Sequence, residues 1–569
     1  MAAPKRISLL LIILISAASL TSWFSNRGIP EGRDYLSEIQ KNTYLYGLVY
    51  REIAQKYVEL VDPNKLMRVG INAMLDAIDP YTVLIEKEDN DQLQIMTTGK
   101  YGGLGMLIGI RDGWPTVVEP PYEDTPAMRA GLREGDHIIE IDGESTKGKT
   151  VNEVAGKLRG EVGTAVSIKI SREGEPNPIE FRLIRAEIVV KDVTYSGLIR
   201  DGIGYIKLTR FSKNAGREVK DAIRRLRDQG MKALVLDLRN NPGGLLEAAV
   251  SVADALLPKG KLIVSTRGRV DGTEQAYYSE HEPVLGNLPL VVLVNEASAS
   301  ASEIVSGAVQ DLDRGLIIGR RSFGKGLVQS VIGLTRDTRL KLTTAKYYLP
   351  SGRLIQKNRK KENDGVDILY HPQAEKDAVK KPATQASFKT AGGRKVFGGG
   401  GIFPDVVVPP DTLNRYQQAL IRKSMVFNYA VLYANTHENL QRNFDVGPDI
   451  LNSFRQFLQE KGFDYKPLSE LELERFKKAV QADGLDNGVA ACLDHIQQAI
   501  TQRKQKAFDE NVEFIKRELA MEISAKLWGT AAKIEVSFKD DKDLQKAVEV
   551  LQNPATYYSL LTSDHEIKG

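Results

Sequence analysis

Hydrophobic residues follow two spacings along the middle of the chain, one typical of strands and one typical of helices. Ala233 to Leu238 and Leu288 to Val294 are continuous apolar runs rich in Val and Leu, which predict short buried strands. Ala215 to Gln229 and Leu245 to Leu257 repeat their apolar residues at helical spacing. This alternation of strands and helices predicts an α/β core, which we place at residues 189–408.

Helical spacing dominates on both sides of this central region. Apolar residues repeat in this way from about Asp34, with a turn at Val61 to Asn64, which predicts an N-terminal helical domain at residues 29–98. Residues 409–569 follow the same pattern, for example at Val512 to Leu527. Neither part contains a motif that indicates chemistry, so we expect both to serve in packing or dimerisation.

The first residues predict export. Lys5 and Arg6 precede an apolar stretch, Ile7 to Leu20, and Ser16-Ala-Ala-Ser resembles a small-residue cleavage region. Trp23 and Phe24 are able to extend the stretch into a short membrane helix seated at the interface. Residues 1–28 are therefore a secretory signal peptide or an N-terminal membrane anchor, and the remainder is expected to be periplasmic or to face the periplasm.

Composition changes this picture little. The chain has 569 residues, of which 42% are hydrophobic and 27% charged, as expected for several globular domains. A net charge of +4 is too small to indicate a nucleic-acid partner. With Cys492 as the single cysteine, no intramolecular disulfide can form.

A serine and a lysine occupy special positions near the second apolar run. Ser300 lies where the strand gives way to a helix, so its hydroxyl is expected beside free backbone N–H groups. Lys325 lies in a glycine-rich turn after a second short strand, Leu316 to Gly319. A lysine amine can take the proton of a serine hydroxyl only if burial or neighbouring charges lower its pKa from about 10.4. The six histidines of the chain show no metal spacing and no recognisable Ser-His-Asp arrangement, which weakens histidine-based catalysis without excluding it.

These residues carry a resemblance to a known family. Asn295-x-x-Ser-Ala-Ser-Ala-Ser-Glu303 and Gly319-x-x-Ser-Phe-Gly-Lys-Gly-x-Val-Gln329 closely resemble the active-site signature of the carboxyl-terminal processing (tail-specific) serine peptidases. The resemblance implies that Ser300 is the nucleophile, Lys325 the general base and Gln329 the residue that positions the lysine. It also matches Asp311 to an acidic position near the site in some members.

A second motif resembles a PDZ domain at residues 99–188. Gly102-Gly103-Leu104-Gly105-Met106 is followed by Gly-Asp-x-Ile-x-x-Ile-Asp-Gly143 and by an amphipathic helix at Val151 to Leu158. Such a glycine-containing loop can bind a C-terminal carboxylate through its N–H groups, and the neighbouring strand edge can take up the peptide as an added strand. The residues expected to bind the peptide are Gly103, Leu104, Gly105, Met106, Val154 and Leu158. Arg159 resembles the arginine that reaches the catalytic region in gated members of the family.

The turn Arg239-Asn-Asn-Pro-Gly243-Gly244 between a strand and a helix presents backbone donors at a helix N-terminus. In the family this loop supplies one N–H of the oxyanion hole, matched here by Gly243 or Gly244, and Ala301 supplies the other. A purely structural turn is the competing interpretation. Residues 357–396, rich in Lys, Asp, Gly and Gln, form an insert relative to the simplest family pattern, and we expect it to be a surface flap.

The predicted fold class is multidomain α/β, with an N-terminal helical region, a PDZ domain of β-sandwich or barrel type, a protease core similar to ClpP and crotonase, and a helical C-terminal extension. The function hypothesis is an exported serine endopeptidase that captures protein substrates by unstructured apolar C-termini and cleaves nearby, with no metal or organic cofactor implied. A non-catalytic PDZ scaffold and a crotonase-like acyl-transfer enzyme are the alternatives. The sequence leaves open whether an adaptor, an activator or a second copy of the chain binds, and membrane contact is expected only through the N-terminal segment.

Overall fold

The structure is a computed structural model, which describes residues 35–86, 90–336, 338–357, 386–437 and 439–562. The predicted signal peptide or anchor and residues 358–385 of the insert lie outside the described residues. Within the described ranges, no helix combines the length and the apolar character that crossing a membrane requires.

The N-terminal part is helical, as the spacing predicts, but it also reaches the α/β core. It consists of α1 (Tyr35–Lys56), α2 (Pro63–Asp76), β1 (Val83–Ile85) and α3 (Asn90–Thr98). The turn predicted at Val61 to Asn64 is present, because Asp62 caps α2 by accepting hydrogen bonds from the N–H groups of Asn64 and Lys65. β1 pairs antiparallel with a strand of the core, Val83 opposite Lys341. Residues just before β1 are thereby brought next to the core.

The second part is a small β unit. It contains β2 (Lys100–Gly103), β3 (Ile108–Arg111), β4 (Trp114–Val117), α4 (Pro126–Arg129), β5 (His137–Ile141), β6 (Glu144–Ser145), α5 (Val151–Leu158), β7 (Ala165–Ser171), β8 (Ile179–Ile184) and β9 (Ala186–Val189). The main sheet has the order β3-β4-β5-β7-β8, so β3 lies at one edge. Helix α5 has the bounds that the pattern predicts and begins with a capping box between Thr150 and Glu153.

The third part is the α/β core. Its elements are β10 (Val193–Leu198), β11 (Ile203–Leu208), α6 (Ala215–Asp228), β12 (Ala233–Asp237), α7 (Leu246–Asp254), β13 (Leu262–Gly268), β14 (Gln275–Tyr278), β15 (Leu290–Val294), α8 (Ala301–Asp311), β16 (Leu316–Gly319), β17 (Leu327–Gly333), β18 (Arg339–Tyr348), β19 (Ser387–Lys389), β20 (Lys395–Phe397) and β21 (Val406–Val407). One sheet has the order β10-β11-β12-β15-β16-β21 and is parallel from β11 onwards. A second sheet contains β1, β13, β14, β17 and β18. β15 begins two residues later than predicted.

The C-terminal part is a set of helices that contact both of the preceding parts. They are α9 (Arg415–Arg422), α10 (Met425–Thr436), α11 (Pro448–Glu460), α12 (Leu468–Ala482), α13 (Asp486–Glu510), α14 (Val512–Ser537), α15 (Lys542–Gln552) and α16 (Pro554–Thr562). α14 is kinked at Gly529, which has φ 82°. Lys526 of this helix pairs with Glu134 of the β unit at 2.6 Å.

The two faces of the parallel sheet are covered by different parts of the chain. Helices α6, α7 and α8 cover one face, where Leu234 and Val292 are completely buried. On the other face, Val235 and Val291 pack against Leu544 and other apolar residues of α15 and α16. The C-terminal helices therefore complete the α/β core, since a parallel sheet is stable only when both of its faces are buried.

Ion pairs reinforce this contact beside the turn that follows β12. Arg239 pairs with Asp237 of the strand and with Asp541 and Asp543 at the start of α15, at 2.7, 2.6 and 3.0 Å. Asp543 also pairs with Arg320, which follows β16. The C-terminal helices thus hold the ends of two strands that lead into the candidate site.

The described end of the insert is a hairpin anchored to the core. It is formed by β19 and β20, and the side chain of Arg394 just before β20 is only 6% exposed, paired with Asp313 and Asp405. The Ala391 N–H donates to the Asp311 carbonyl. A buried arginine with two carboxylate partners thus holds this hairpin in place, and the expectation of a surface flap stays a prediction for the insert as a whole.

Candidate active site

Ser300 lies at a sharp turn between β15 and α8, as the pattern predicts. Its φ of 54° and ψ of −112° are rare for a residue other than glycine, so the backbone is strained at this point. The surrounding loop is fixed by hydrogen bonds, since the Ala299 N–H and the Ser302 hydroxyl both donate to the Asn241 carbonyl. Ser300 is half-buried, which leaves its side chain accessible at the head of the helix.

Lys325 lies in the predicted glycine turn just before β17, and its ammonium has a defined partner. Its Nζ donates to the side-chain oxygen of Gln329 at 2.8 Å. The Gln329 amide donates in turn to the carbonyl of Tyr81, at 2.7 Å, and the Tyr81 ring centroid lies 4.7 Å from the lysine nitrogen. The predicted pairing of Lys325 with Gln329 is therefore present, and Tyr81 fixes which end of the amide faces the lysine.

Two buried side chains bring the backbones of Ser300 and Lys325 together. The carboxylate of Glu303 accepts hydrogen bonds from the N–H groups of Ser300 and Lys325, at 2.8 and 2.9 Å. The Tyr347 hydroxyl contacts the carbonyl oxygens of the same two residues. Since Glu303 is 0% and Tyr347 1% exposed, these contacts are shielded from water. The two sequence segments that carry the motif therefore meet in space.

The amine of Lys325 is partly buried and has a lowered pKa. Burial, assisted by the positive charge of Lys341, lowers the pKa of Lys325 to about 8. Among the hydrogen bonds of the described residues, none joins the Ser300 hydroxyl directly to Lys325. In this structure the Lys325 ammonium donates to Gln329 instead.

The glycine turn after β12 lies against the serine. A β-carbon added at Gly243 would meet the Ala301 nitrogen and the Ser300 Cβ, each at 2.9 Å, so only glycine fits there. The Gly243 N–H donates to the Asn241 side chain at 2.9 Å. Within the described part of the chain, the N–H groups of Gly244 and Ala301 have no recorded partner. These two donors, at the start of α7 and α8, are available to a negatively charged oxygen.

The small β unit contains an open edge beside a helix. α5 packs against edge strand β3, with the half-buried Met106 between them and the buried Leu104, Val154 and Leu158 in the core of the unit. The backbone bends at Gly105, with φ 82°, where a β-carbon would lie 2.3 Å from the Thr125 side chain. No partner is recorded for the N–H groups of Leu104, Gly105 and Met106 in the described residues. Free donors, an edge strand and a helix are together the requirements for binding a peptide C-terminus.

Comparison with known proteins gives a family to each of the three larger parts. Residues 202–367 match peptidase family S41, residues 117–172 match the PDZ domain, and residues 416–551 match the C-terminal helical domain of probable PDZ-proteases. A carboxy-terminal-processing protease from Bartonella bacilliformis is 40% identical over 325 residues, which are 56% of this chain and 74% of that protein. The carboxyl-terminal-processing protease of Synechocystis sp. is 38% identical over 311 residues, 54% of this chain and 72% of that protein. The chain belongs to peptidase family S41.

Family membership confirms several of the predictions. This S41 peptidase is a serine-type enzyme of the carboxy-terminal processing group, and its predicted fold class is confirmed. The PDZ domain supports binding of protein C-termini. Another relative, the carboxy-terminal processing protease CtpB of Bacillus subtilis, is 34% identical over 313 residues, 54% of this chain and 64% of that protein.

Two of the family-based assignments lie apart from the serine and lysine in this S41 peptidase. The guanidinium of Arg159 lies 5.6 Å from the Tyr101 ring centroid, inside the PDZ domain, so its gating role stays a prediction. Asp311 forms a fully buried ion pair with Arg353 and accepts the Ser351 N–H. Its recorded contacts are those of a residue that stabilises the core. Among the four histidines that the structure describes, none has a recorded hydrogen bond to Ser300.

Three residues of the site were not identified from the sequence. Glu303 stands in the first signature motif, but its four hydrogen bonds, which also include the Ser322 hydroxyl and the Gly324 N–H, form only in the fold. Tyr81 lies in the N-terminal part, which contains no motif that indicates chemistry. Tyr347 belongs to β18 and to neither signature motif. The contacts that give Tyr81 and Tyr347 their roles join residues far apart in the sequence.

Replacing Tyr347 with phenylalanine is expected to lower kcat about tenfold. The ring would still fill its buried position, but the hydroxyl that contacts the Ser300 and Lys325 carbonyl oxygens would be lost, at a cost of about 1–1.5 kcal/mol. Steady-state kinetics checks this result, with Tyr348→Phe as the matched control, because no hydrogen bond of the Tyr348 hydroxyl is recorded in the described residues. Equal activity of the two variants would contradict a positioning role for the hydroxyl.

Proposed function

We propose that this S41 peptidase is an exported endopeptidase that binds the unstructured C-terminal tail of a protein through its PDZ domain and cleaves nearby by a Ser300–Lys325 mechanism. The observation that supports this mechanism most strongly is the shared contact with Glu303, whose carboxylate accepts the N–H groups of both Ser300 and Lys325. The ammonium of Lys325 also donates a hydrogen bond to Gln329. The buried amine of Lys325, whose pKa is lowered to about 8, supports its role as the base.

The reaction begins when neutral Lys325 takes the hydroxyl proton of Ser300. The serine oxygen attacks the scissile carbonyl, which becomes a tetrahedral oxyanion bonded to Oγ. The protonated lysine then gives its proton to the leaving amine as the peptide C–N bond breaks, leaving an acyl-enzyme ester. Lys325 next takes a proton from water as the hydroxide attacks the ester carbonyl. The C–Oγ bond then breaks, Lys325 returns the proton to the Ser300 oxygen, and the new peptide C-terminus is released.

The N–H groups of Gly244 and Ala301 stabilise the oxyanion in this mechanism. Neither N–H has a hydrogen-bond partner among the described residues, and both lie at helix N-termini, where the helix dipole favours negative charge. A donor of this kind contributes about 3 kcal/mol to a transition state. Gly243 supports the loop by its close fit against Ser300, while its own N–H binds Asn241.

Tail recognition takes place at the open edge of the PDZ domain. The substrate carboxylate accepts from the N–H groups of Leu104, Gly105 and Met106, and the peptide adds as a strand to β3. An apolar last side chain fits beside Met106, because the surface there covers the aliphatic core formed by Leu104, Val154 and Leu158. The N-terminal apolar segment, Ile7 to Leu20, supports export.

A cleavage assay with an unfolded protein that ends in a short apolar tail tests the proposal. The enzyme is the fragment that starts at Asp34, with Ser300→Ala as the blank, and product masses are recorded over time at pH 7 to 9. We expect cleavage by the parent enzyme only, and slower cleavage when the tail is amidated or ends in aspartate. Equal cleavage of free and amidated tails would contradict recognition of the carboxylate.

The two alternatives would give different results in the same assay. A scaffold would bind the tail and leave the substrate intact with either enzyme. An acyl-transfer enzyme of the crotonase type would bind acyl-coenzyme A, which isothermal titration with acetyl-coenzyme A would detect. Fractionation of cells that express the full chain tests export. Recovery of the PDZ domain and the protease core in the cytoplasmic fraction would contradict it.

A further inference from the structure

Lys341 lies on the face of the second sheet that carries the lysine partner Gln329. In the antiparallel pairing of β17 with β18, Gln329 is opposite Thr343 and Val331 is opposite Lys341. Residues two apart on a strand share a face, and directly opposite residues share it too. Lys341 is therefore the diagonal neighbour of Gln329, at a spacing that long side chains span. On its other side β18 pairs with β1, where Val83 is opposite Lys341.

Lys341 is half-buried, and within the described residues no carboxylate pairs with it. No ion pair or hydrogen bond of its ammonium is recorded among the described residues. The two carboxylates near Lys325 are already occupied: Asp79 accepts from the backbone of Tyr81 and Thr82, and Glu303 accepts four other donors. A lysine that is partly removed from water without a partner is unfavourable for stability, so its presence beside the site calls for a function.

We propose that Lys341 is a positioning residue for the peptidase reaction, whose positive charge keeps the amine of Lys325 unprotonated and able to accept the serine proton. This inference rests on the proposed Ser300–Lys325 mechanism. Two ammonium groups in one partly buried region cannot both be charged without mutual repulsion. Burial lowers the pKa of both amines, and the repulsion from Lys341 lowers that of the more deeply buried Lys325 further, to about 8.

The charges around Lys325 act in opposite directions. Burial and Lys341 lower its pKa, whereas the negative charges of Asp79, from the turn before β1, and of Glu303, from α8, raise it. The remaining polar neighbours, the Tyr81 ring and the Tyr347 hydroxyl, carry no charge at neutral pH. Lys341 is thus the positive group that offsets the two carboxylates, and without it the balance moves towards a protonated, inactive lysine.

The Lys341→Met variant tests this inference through the pH dependence of kcat/KM. Methionine keeps the length and the apolar stem of lysine but removes its charge. The rise of kcat/KM with pH reports the deprotonation of Lys325 in the free enzyme. We expect the midpoint of this rise to shift to higher pH by on the order of half to one unit. At pH 7.5 kcat/KM should fall about three- to tenfold, and it should recover above pH 9.5. Lys341→Arg should keep the parent profile.

Lys346 offers a matched control on the same strand. It is exposed, so Lys346→Met removes the same charge where solvent screens it, and its profile should equal that of the parent. A Lys341→Met enzyme with an unmoved pH profile would overturn the inference, and an increase in KM alone would assign Lys341 to substrate binding instead. Failure of the mechanism itself would look different, because Ser300→Ala would then still cleave the substrate.

Discussion

Replacing Ser300 by alanine or Lys325 by methionine is expected to lower kcat at least a thousandfold while tail binding is unchanged. Each substitution removes one partner of the proton transfer that starts the reaction, and a thousandfold loss corresponds to about 4 kcal/mol of transition-state stabilisation. The PDZ edge proposed to bind the tail is formed by β3 and α5, which contain neither residue. Substrate cleavage followed by mass spectrometry and tail-peptide binding by fluorescence anisotropy measure the two properties separately.

The double variant distinguishes a catalytic pair from two independent contributions. Residues that act as one unit are not additive, so Ser300→Ala with Lys325→Met should be no slower than either single variant. Lys346→Met, on the exposed face of β18, is the control for loss of a lysine charge. A double variant that is another thousandfold slower would show that the two residues act in different steps and would contradict the mechanism.

The parts of this fold that the sequence predicts best are those encoded by local spacing. The apolar runs of β12 and β15 and the helical repeats of α6 identify the core, because burial on a regular element imposes a regular pattern. The glycine turn around Lys325 is predictable for the same reason, since its backbone needs residues without a β-carbon. Gly324, with φ 88° and the Lys357 Cβ 2.9 Å from its added β-carbon, illustrates that constraint.

Contacts between residues that are far apart in the sequence cannot be predicted from the local spacing of apolar residues. A continuous apolar strand such as β15 indicates burial on both faces but does not identify the cover of the second face, which the structure assigns to α15 and α16. Tyr81 and Gln329 are 248 residues apart, and their contact depends on the pairing of β1 with β18. Nothing local to Tyr81 indicates a catalytic neighbour, because its turn follows an ordinary Asp-Pro pattern.

Replacing Glu303 by glutamine is expected to lower both the stability of the core and the rate. One carboxylate oxygen accepts the N–H groups of Ser300 and Lys325, and the other accepts the Ser322 hydroxyl and the Gly324 N–H. A glutamine has only one acceptor oxygen, so its NH₂ group would face two of these donors in a completely buried position. Buried donors without acceptors cost about 1–3 kcal/mol each, so the free energy of unfolding should fall by about 2–5 kcal/mol.

The loss of rate should exceed what unfolding explains. Burial raises the pKa of Glu303 above its usual range although its four donors oppose the shift, and at neutral pH we expect the ionised form because all four of these hydrogen bonds are donated to the carboxylate. Without that carboxylate the backbones of Ser300 and Lys325 lose their common acceptor, and kcat should fall about a hundredfold even at temperatures where the protein is folded. Glu247→Gln is the matched control, since this glutamate also lies in the first turn of a core helix but is exposed. Glu247→Gln should lower the free energy of unfolding by only about a few tenths of a kcal/mol. Thermal unfolding and kinetics on both variants check the prediction, and a Glu303→Gln enzyme that melts early but retains full kcat when folded would limit Glu303 to a structural role.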